Sequence, residues 1–201
     1  LGDVYKRQGL LGVFIYEYKR LAAPVMVVVN FLYTIPSISM LGLLLYVSGV
    51  GNTTAIIALV IYALLPMVRN TFTGLNQIDK AMCEAGIALG LTRIQRLWNI
   101  EIPLAMPTIM AGIRTMLVMT IALTGIASFI GAGGLGVAIY RGITTNQSAL
   151  TIAGSLLIAL LAITVDALFS LGERVTRISP HMKRYTIIFV SIMTIIAIGI
   201  G

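Results

Sequence analysis

Residues 21–68 contain no charged side chain, a run of 48 residues. No soluble domain hides so long an uncharged stretch without exposing large apolar patches. A lipid bilayer accommodates it. One helix crosses the hydrocarbon core in about 20 residues, so the run is too long for a single span. The polar stretch Ser48-Gly49-Val50-Gly51-Asn52-Thr53-Thr54 divides it into a hairpin of two spans. Further uncharged runs follow: 26 residues between Arg114 and Arg141, 24 between Arg141 and Asp166, and residues 185–201. Each suits a helix that satisfies its own backbone in lipid. The alternating ten-residue segments of a β-barrel are missing. The chain therefore reads as all-α and polytopic.

The basic residues orient these spans. The net charge is +7, which raises the question of a nucleic-acid partner, but the placement of the charges answers it. Lys19 and Arg20 flank one end of the first hairpin and Arg69 the other; Lys80, Arg93 and Arg96 occupy the next polar segment; Arg174, Arg177, Lys183 and Arg184 occupy the last. By the positive-inside rule all three segments are cytoplasmic, and the loops at 48–54 and 131–142 face outward. The basic excess is topological, and no nucleic-acid partner is expected.

Domain limits follow from the same reading. Residues 1–8, LGDVYKRQ, abut an apolar stretch shorter than half a span and are set apart as a non-native leader. Residues 9–178 form the transmembrane domain, with Gly9–Tyr16 as the inner end of a truncated first helix. Residues 179–201 add a C-terminal transmembrane segment that runs outward, expected to lead to an extracytoplasmic domain.

The polar segment 76–103 carries the chemistry. Ile78, Met82, Ala85 and Leu89 recur at helical spacing and give a short helix one apolar face. Gly90 stands where a C-terminal cap needs positive φ. Thr92-Arg93-Ile94-Gln95 is a capping box that starts a second helix, with Ile94, Leu97 and Trp98 as its apolar face. Pro103 and Pro107 are expected to interrupt the chain before the next span. The result is a helix–turn–helix with an apolar side and little local core, a surface suited to a groove on a partner protein. Two rivals are amphipathic helices resting on the membrane and a DNA-binding helix–turn–helix; Arg93 and Arg96 are too few for the latter.

Within that segment, Glu84-Ala85-Gly86, Gly90 and Ile100-Glu101-Ile102-Pro103 match the pattern EAA-x3-G-x9-I-x-L-P, with Gly at the third position and Ile for Leu before the proline. This resembles the cytoplasmic coupling segment of ABC-importer permeases. YTIPSISMLGLL (33–44), IIALVIYALLPMVRNTFTGL (56–75), AGIRT (111–115) and SFIGAGGLG (128–136) are similar to permeases of the glycine betaine, choline and carnitine importers.

The resemblance implies a type I ABC-importer (MetI-like) architecture and an ATP-driven importer of a small osmoprotectant in a bacterial or archaeal inner membrane. It implies Glu84, Ala85, Gly86, Gly90, Ile100, Ile102 and Pro103 as the residues that couple to an ABC ATPase subunit. It also implies a second permease subunit, expected as a homodimer, and an extracytoplasmic solute-binding protein or fused domain. The chain lacks a G-x-x-x-x-G-K-[ST] loop, so it is expected to be a transport subunit rather than an enzyme, with no cofactor of its own and ATP bound by the partner. The glycine-rich run Ile130–Gly136 lacks the lysine and reads as a close-packed turn. Three alternatives stay open: an ABC permease for another small solute such as methionine, an ATP-independent secondary carrier, and a membrane scaffold without transport.

No catalytic or metal-ligating set is present, and the lone Cys83 reads as inert. Arg114 and Asp166 are expected near cytoplasmic helix ends, where snorkelling lowers their cost, and a buried pair between them is one option. Asn30, Thr34, Ser37, Ser39 and Thr124 suit either a pathway lining or hydrogen bonds between helices. Pro24, Pro36 and Pro66 imply kinks or breaks. Phe31, Tyr33, Tyr46 and Tyr62 are too scattered to form an aromatic cage.

Overall fold

The structure is a computed structural model that describes the backbone of residues 2–178 and the side chains of residues 7–171. Every regular element among the described residues is helical. In chain order these are α1 (Gly2–Glu17), α2 (Lys19–Thr34), α3 (Ser37–Ser48), α4 (Asn52–Asn76), α5 (Lys80–Ala88), α6 (Arg93–Arg96), α7 (Ile102–Ala127), α8 (Gly136–Thr144) and α9 (Ser148–Ile178). Residues 2–8 continue α1 into the apolar stretch 9–16. The segment 179–201, with its expected last span, lies outside the described residues.

Helix α4 is the hub, flanked by α1, α2, α3 and α7, while α9 packs on α7 and α8 on α9. Val68, Thr71 and Leu75 of α4 are almost wholly removed from solvent. Close van der Waals contact drives such packing in lipid, because the surrounding hydrocarbon is as apolar as the side chains themselves. One core cluster joins Ala63 and Met67 to Met116, Leu117 and Phe169, and so binds α4, α7 and α9 together.

Asn52–Asn76, Arg93–Ile130 and Ser148–Leu171 are each long and apolar enough to cross a membrane. The first half of the expected hairpin is not a straight span. Helices α2 and α3 meet at 98° across Ile35-Pro36. Pro36 has no N–H to extend α2, and it holds Ile35 in extended backbone at ψ 126°. The Tyr62 hydroxyl donates to the Ile35 carbonyl that the break exposes. Pro24 and Pro66, by contrast, lie inside continuous helices.

The two loops expected to share a side do meet at one end. Leu41, Ala55, Ala58, Ala127, Ile130 and Ala132 form a cluster there. Gly51 N–H donates to the Ile130 carbonyl at 3.0 Å, and Gly133 N–H to Asn52 Oδ1 at 3.4 Å. The 131–142 loop is partly helical, since α8 begins at Gly136 and packs along α9.

Two expectations about α7 need correction. Pro103 and Pro107 do not interrupt the chain. Helix α6 passes through a π-turn, Leu97–Glu101, directly into α7, and the whole stretch Arg93–Ile130 is 38 residues long. Pro103 is the second residue of α7, directly after the π-turn, where the regular i→i−4 ladder is already interrupted. The wider π-turn sits just before it, with Ile102 N–H donating to the Leu97 carbonyl. Because the helix starts so much earlier, Arg114 lies in the middle of α7 rather than near its end, and Asp166 likewise lies well inside α9.

Candidate functional site

Helices α5 and α6 lie at the end of α4 opposite the α3–α4 turn. Asp79 caps α5 by accepting from Ala81 N–H at 3.0 Å, which also sets a negative charge against the positive end of the helix. The helix closes in a Schellman motif: Leu91 N–H donates to the Gly86 carbonyl at 3.1 Å and Gly90 N–H to the Ile87 carbonyl at 2.9 Å. Gly90 has φ +75°, the left-handed backbone that glycine adopts without penalty. The expected capping box then opens α6, with Gln95 N–H donating to Thr92 Oγ1 at 3.4 Å and Thr92 N–H to Gln95 Oε1 at 2.9 Å. These local signals place two short helices in a fixed relation between Lys80 and Arg96.

Seven residues were expected to act here, and the fold sorts them by exposure: Glu84, Ala85 and Gly90 are exposed, Gly86 is buried, and Ile100, Ile102 and Pro103 are half-buried. Glu84 and Ala85 face outward, exposed, and Glu84 makes no ion pair or hydrogen bond among the described residues. Gly86 is buried against the π-turn; a Cβ there would stand 2.8 Å from Ile100 Cδ1 and 3.3 Å from Arg96 Cγ. Glycine in place of alanine thus lets α5 lie a methyl group closer to Ile100. Ile102 and Pro103 are half-buried at the root of α7, where Ile102 packs against the cluster formed by Tyr16, Leu75, Leu97 and Ala105.

The apolar faces behave differently from one another. Ile78 and Leu97 turn into the core. Met82, Ile87, Leu89, Ile94 and Trp98 remain exposed, Leu89 by 79% and Ile94 by 70%. Large exposed apolar side chains gathered on one short unit mark an interaction surface.

Sequence reasoning missed the residue that organises this surface from beneath. Glu101 is 0% exposed. Its Oε1 accepts from Arg96 Nε at 2.7 Å and from Arg93 Nη1 at 3.5 Å, and the Cys83 thiol approaches it at 3.8 Å. Arg93 in turn donates to Glu17 at 3.0 Å and lies 5.7 Å over the Tyr16 ring. One carboxylate thereby ties the end of α1, α5, α6 and the root of α7 together. The only trace of this in the sequence is a lone acid between Ile100 and Ile102. Burial pushes the Cys83 thiol above the ordinary thiol range, and the Glu101 charge adds to the effect. Arg93 is held more firmly protonated, chiefly by its bond to Glu17.

Residues 8–178 match the family model described as the binding-protein-dependent transport system inner membrane component. The chain is 45% identical over 175 residues to the glycine betaine/carnitine/choline transport system permease protein OpuCD of Bacillus subtilis, covering 87% of this chain and 76% of that one. It is 44% identical over 176 residues to the choline transport system permease protein OpuBD of the same organism, covering 87% and 77%. The osmoprotectant import permease protein OsmW of Salmonella typhimurium is 45% identical over 161 residues, covering 78% and 75%. Among solved structures, an inward-facing form of the MetNI methionine ABC transporter matches with a TM-score of 0.75 at 20% identity, over 86% of this chain and 91% of that chain. That likeness concerns the fold.

Proposed function

The chain belongs to the family of binding-protein-dependent transport system inner membrane components, and from that premise we propose that it imports a quaternary-ammonium osmoprotectant. It is a multi-pass inner-membrane protein and a permease subunit of an ABC importer, whose family works with an ATPase and a binding protein. Glycine betaine, carnitine and choline, named for the relatives, all carry a trimethylammonium group, and that shared group is the proposed recognition element. ATP binds and is hydrolysed on the separate ATPase. Two copies of this chain form the pathway, and an extracytoplasmic binding protein, free or fused, delivers solute.

The exposed apolar face of α5 and α6, held rigid by buried Glu101, is the observation that carries the coupling assignment. Met82, Leu89, Ile94 and Trp98 supply the apolar contacts to the ATPase, and Glu84 a charged one. Gly86, Gly90 and Ile100 fix the angle between the two helices, while Ile102 and Pro103 pass the motion into α7. A rigid unit is required because a load-bearing surface that flexed would absorb the ATPase closure instead of transmitting it.

Reconstitution with its ATPase and binding protein tests this reading. ATP-dependent uptake of labelled glycine betaine, choline or carnitine is expected, and Glu84→Lys or Ile94→Asp abolishes both uptake and ATPase co-purification while the protein stays folded. Uptake of methionine and none of the three amines overturns the substrate; wild-type ATPase binding by both variants overturns the docking surface.

A further inference from the structure

Arg114 of α7 and Asp166 of α9 form a two-pronged ion pair, Nη2 to Oδ2 at 2.6 Å with Nε bonded to Oδ1. Its depth follows from the helix. Arg114 lies 14 residues inward of Ser128, at the closed end of α7, or roughly 21 Å at 1.5 Å per residue. That is well within a hydrocarbon core of about 30 Å. Each side chain is nevertheless 37% exposed on this chain. Charged groups at such depth face a protein interior or a water-filled cavity, since lipid contact is costly even for a pair.

A groove adjoins the pair along the same helices. An open groove of about 330 Å³ runs between α7, α8 and α9; its lining is mostly apolar, with Ile126, Phe129, Ile139 and Ile158 beside the small Gly125, Ala159 and Ala162, and Ser155 is its polar side chain. At 100° per residue, Arg114 and Gly125 share one sector of α7, and Ser155, Ala159, Ala162 and Asp166 share one sector of α9. The groove and the ion pair therefore lie along a single edge, one above the other. Roughly 100° further round α9, Leu156, Leu160 and Ile163 stand exposed with large apolar side chains. Helix α9 thus shows an edge of small residues that carries Ser155 and Asp166, beside one of large exposed apolar side chains.

We infer that the α7–α9 edge bearing Arg114, Asp166, Ser155 and Ala162 lines the aqueous translocation pathway, and that Leu156, Leu160 and Ile163 face away from it. The inference rests on the permease reading and not on which solute is carried. The ion pair clamps α7 to α9 at the inner part of the pathway. Because α7 is continuous with α6 through the π-turn, movement of the coupling helices reaches this wall directly.

Thiol accessibility tests the assignment in the assembled transporter in proteoliposomes. Single cysteines replace Ser155, Ala159 or Ala162 on one edge and Leu156, Leu160 or Ile163 on the other, in a Cys83→Ser background. These exchanges on the small-residue edge alter little volume, so folding survives. The probe is a trimethylammonium methanethiosulfonate, which does not partition into lipid. Cysteines on the first edge should react roughly tenfold faster or more than those on the second, as water exposure requires. Equal rates, or the reverse order, overturn the inference. So does spontaneous disulfide cross-linking of two copies through Ala162→Cys, which would make this edge a subunit interface. The pattern stands even if betaine uptake fails, so a wrong solute and a wrong pathway edge give different results.

Discussion

Arg96 Nε meets Glu101 Oε1 at 2.7 Å, and that carboxylate has no exposure to solvent. The pair sits where the short helices α5 and α6 join the root of α7. A buried ion pair adds little net stability, yet removing one partner leaves an uncompensated charge and is strongly destabilising. Its value here is geometric: it fixes α6 and the π-turn against α1 and α5.

Glu101→Ala should lower stability by about 3–5 kcal/mol, seen as a reduced thermal midpoint in detergent. Glu101→Gln keeps hydrogen-bonding atoms and should lose less. Glu84→Lys, on the exposed face, should leave the midpoint within about 0.5 kcal/mol of wild type. If Glu101→Ala unfolds at the wild-type temperature, the carboxylate does not hold the unit together.

Cys83 reports on the same carboxylate. Its thiol is raised by burial first and by the Glu101 charge second, and only the thiolate reacts with maleimide. Labelling should therefore be slower than for an exposed cysteine at neutral pH, and should accelerate only above the ordinary thiol range. Glu101→Gln removes a negative charge, which lowers the thiol pKa and speeds labelling at a given pH. An unchanged rate–pH profile in that variant would place the two groups apart.

Gly90→Val should disrupt the turn, because φ +75° costs a residue with a Cβ about 1–2 kcal/mol. The space around Gly90 is open, so the penalty comes from backbone conformation alone. Gly90→Asn should accordingly be tolerated far better, as asparagine enters the left-handed region more readily. Uptake and ATPase binding together check this, with the order Gly90, Asn, Val expected in both.

How far the sequence reveals this molecule depends on the range of each interaction. Although Arg114 and Asp166 lie inside spans as a mutual pair that no local pattern announces, uncharged runs mark spans because lipid disfavours charge residue by residue. Thr92, Gln95 and Gly90 were legible for the same reason: their partners lie within five positions. Glu101 was not, since its partners come from α1 and α5 as well as α6, and nothing near it in sequence marks it as buried. Pro36 illustrates the same limit from another side. Pro24, Pro36 and Pro66 look alike in the sequence, yet only at Pro36 does the chain turn through 98°. The groove between α7 and α9 was equally hidden, as it depends on which edges of two distant helices meet.

Tyr62 supplies the last test. Its hydroxyl donates to the carbonyl of Ile35, 27 residues away, at the point where α2 ends. A carbonyl released inside a membrane has no water to turn to, so an unsatisfied one is expensive. Interhelical hydrogen bonds in membranes contribute about 0.6–2 kcal/mol, which sets the expected loss on Tyr62→Phe. The ring keeps its edge-to-face contact with Tyr33, whose centroid is 6.0 Å away, so packing is preserved and only the bond is deleted. Local effects should exceed global ones: faster proteolysis or hydrogen exchange around residues 33–37, with α4 and α7 unchanged. Uniform protection of 33–37 in Tyr62→Phe would mean that Pro36 sets the bend unaided.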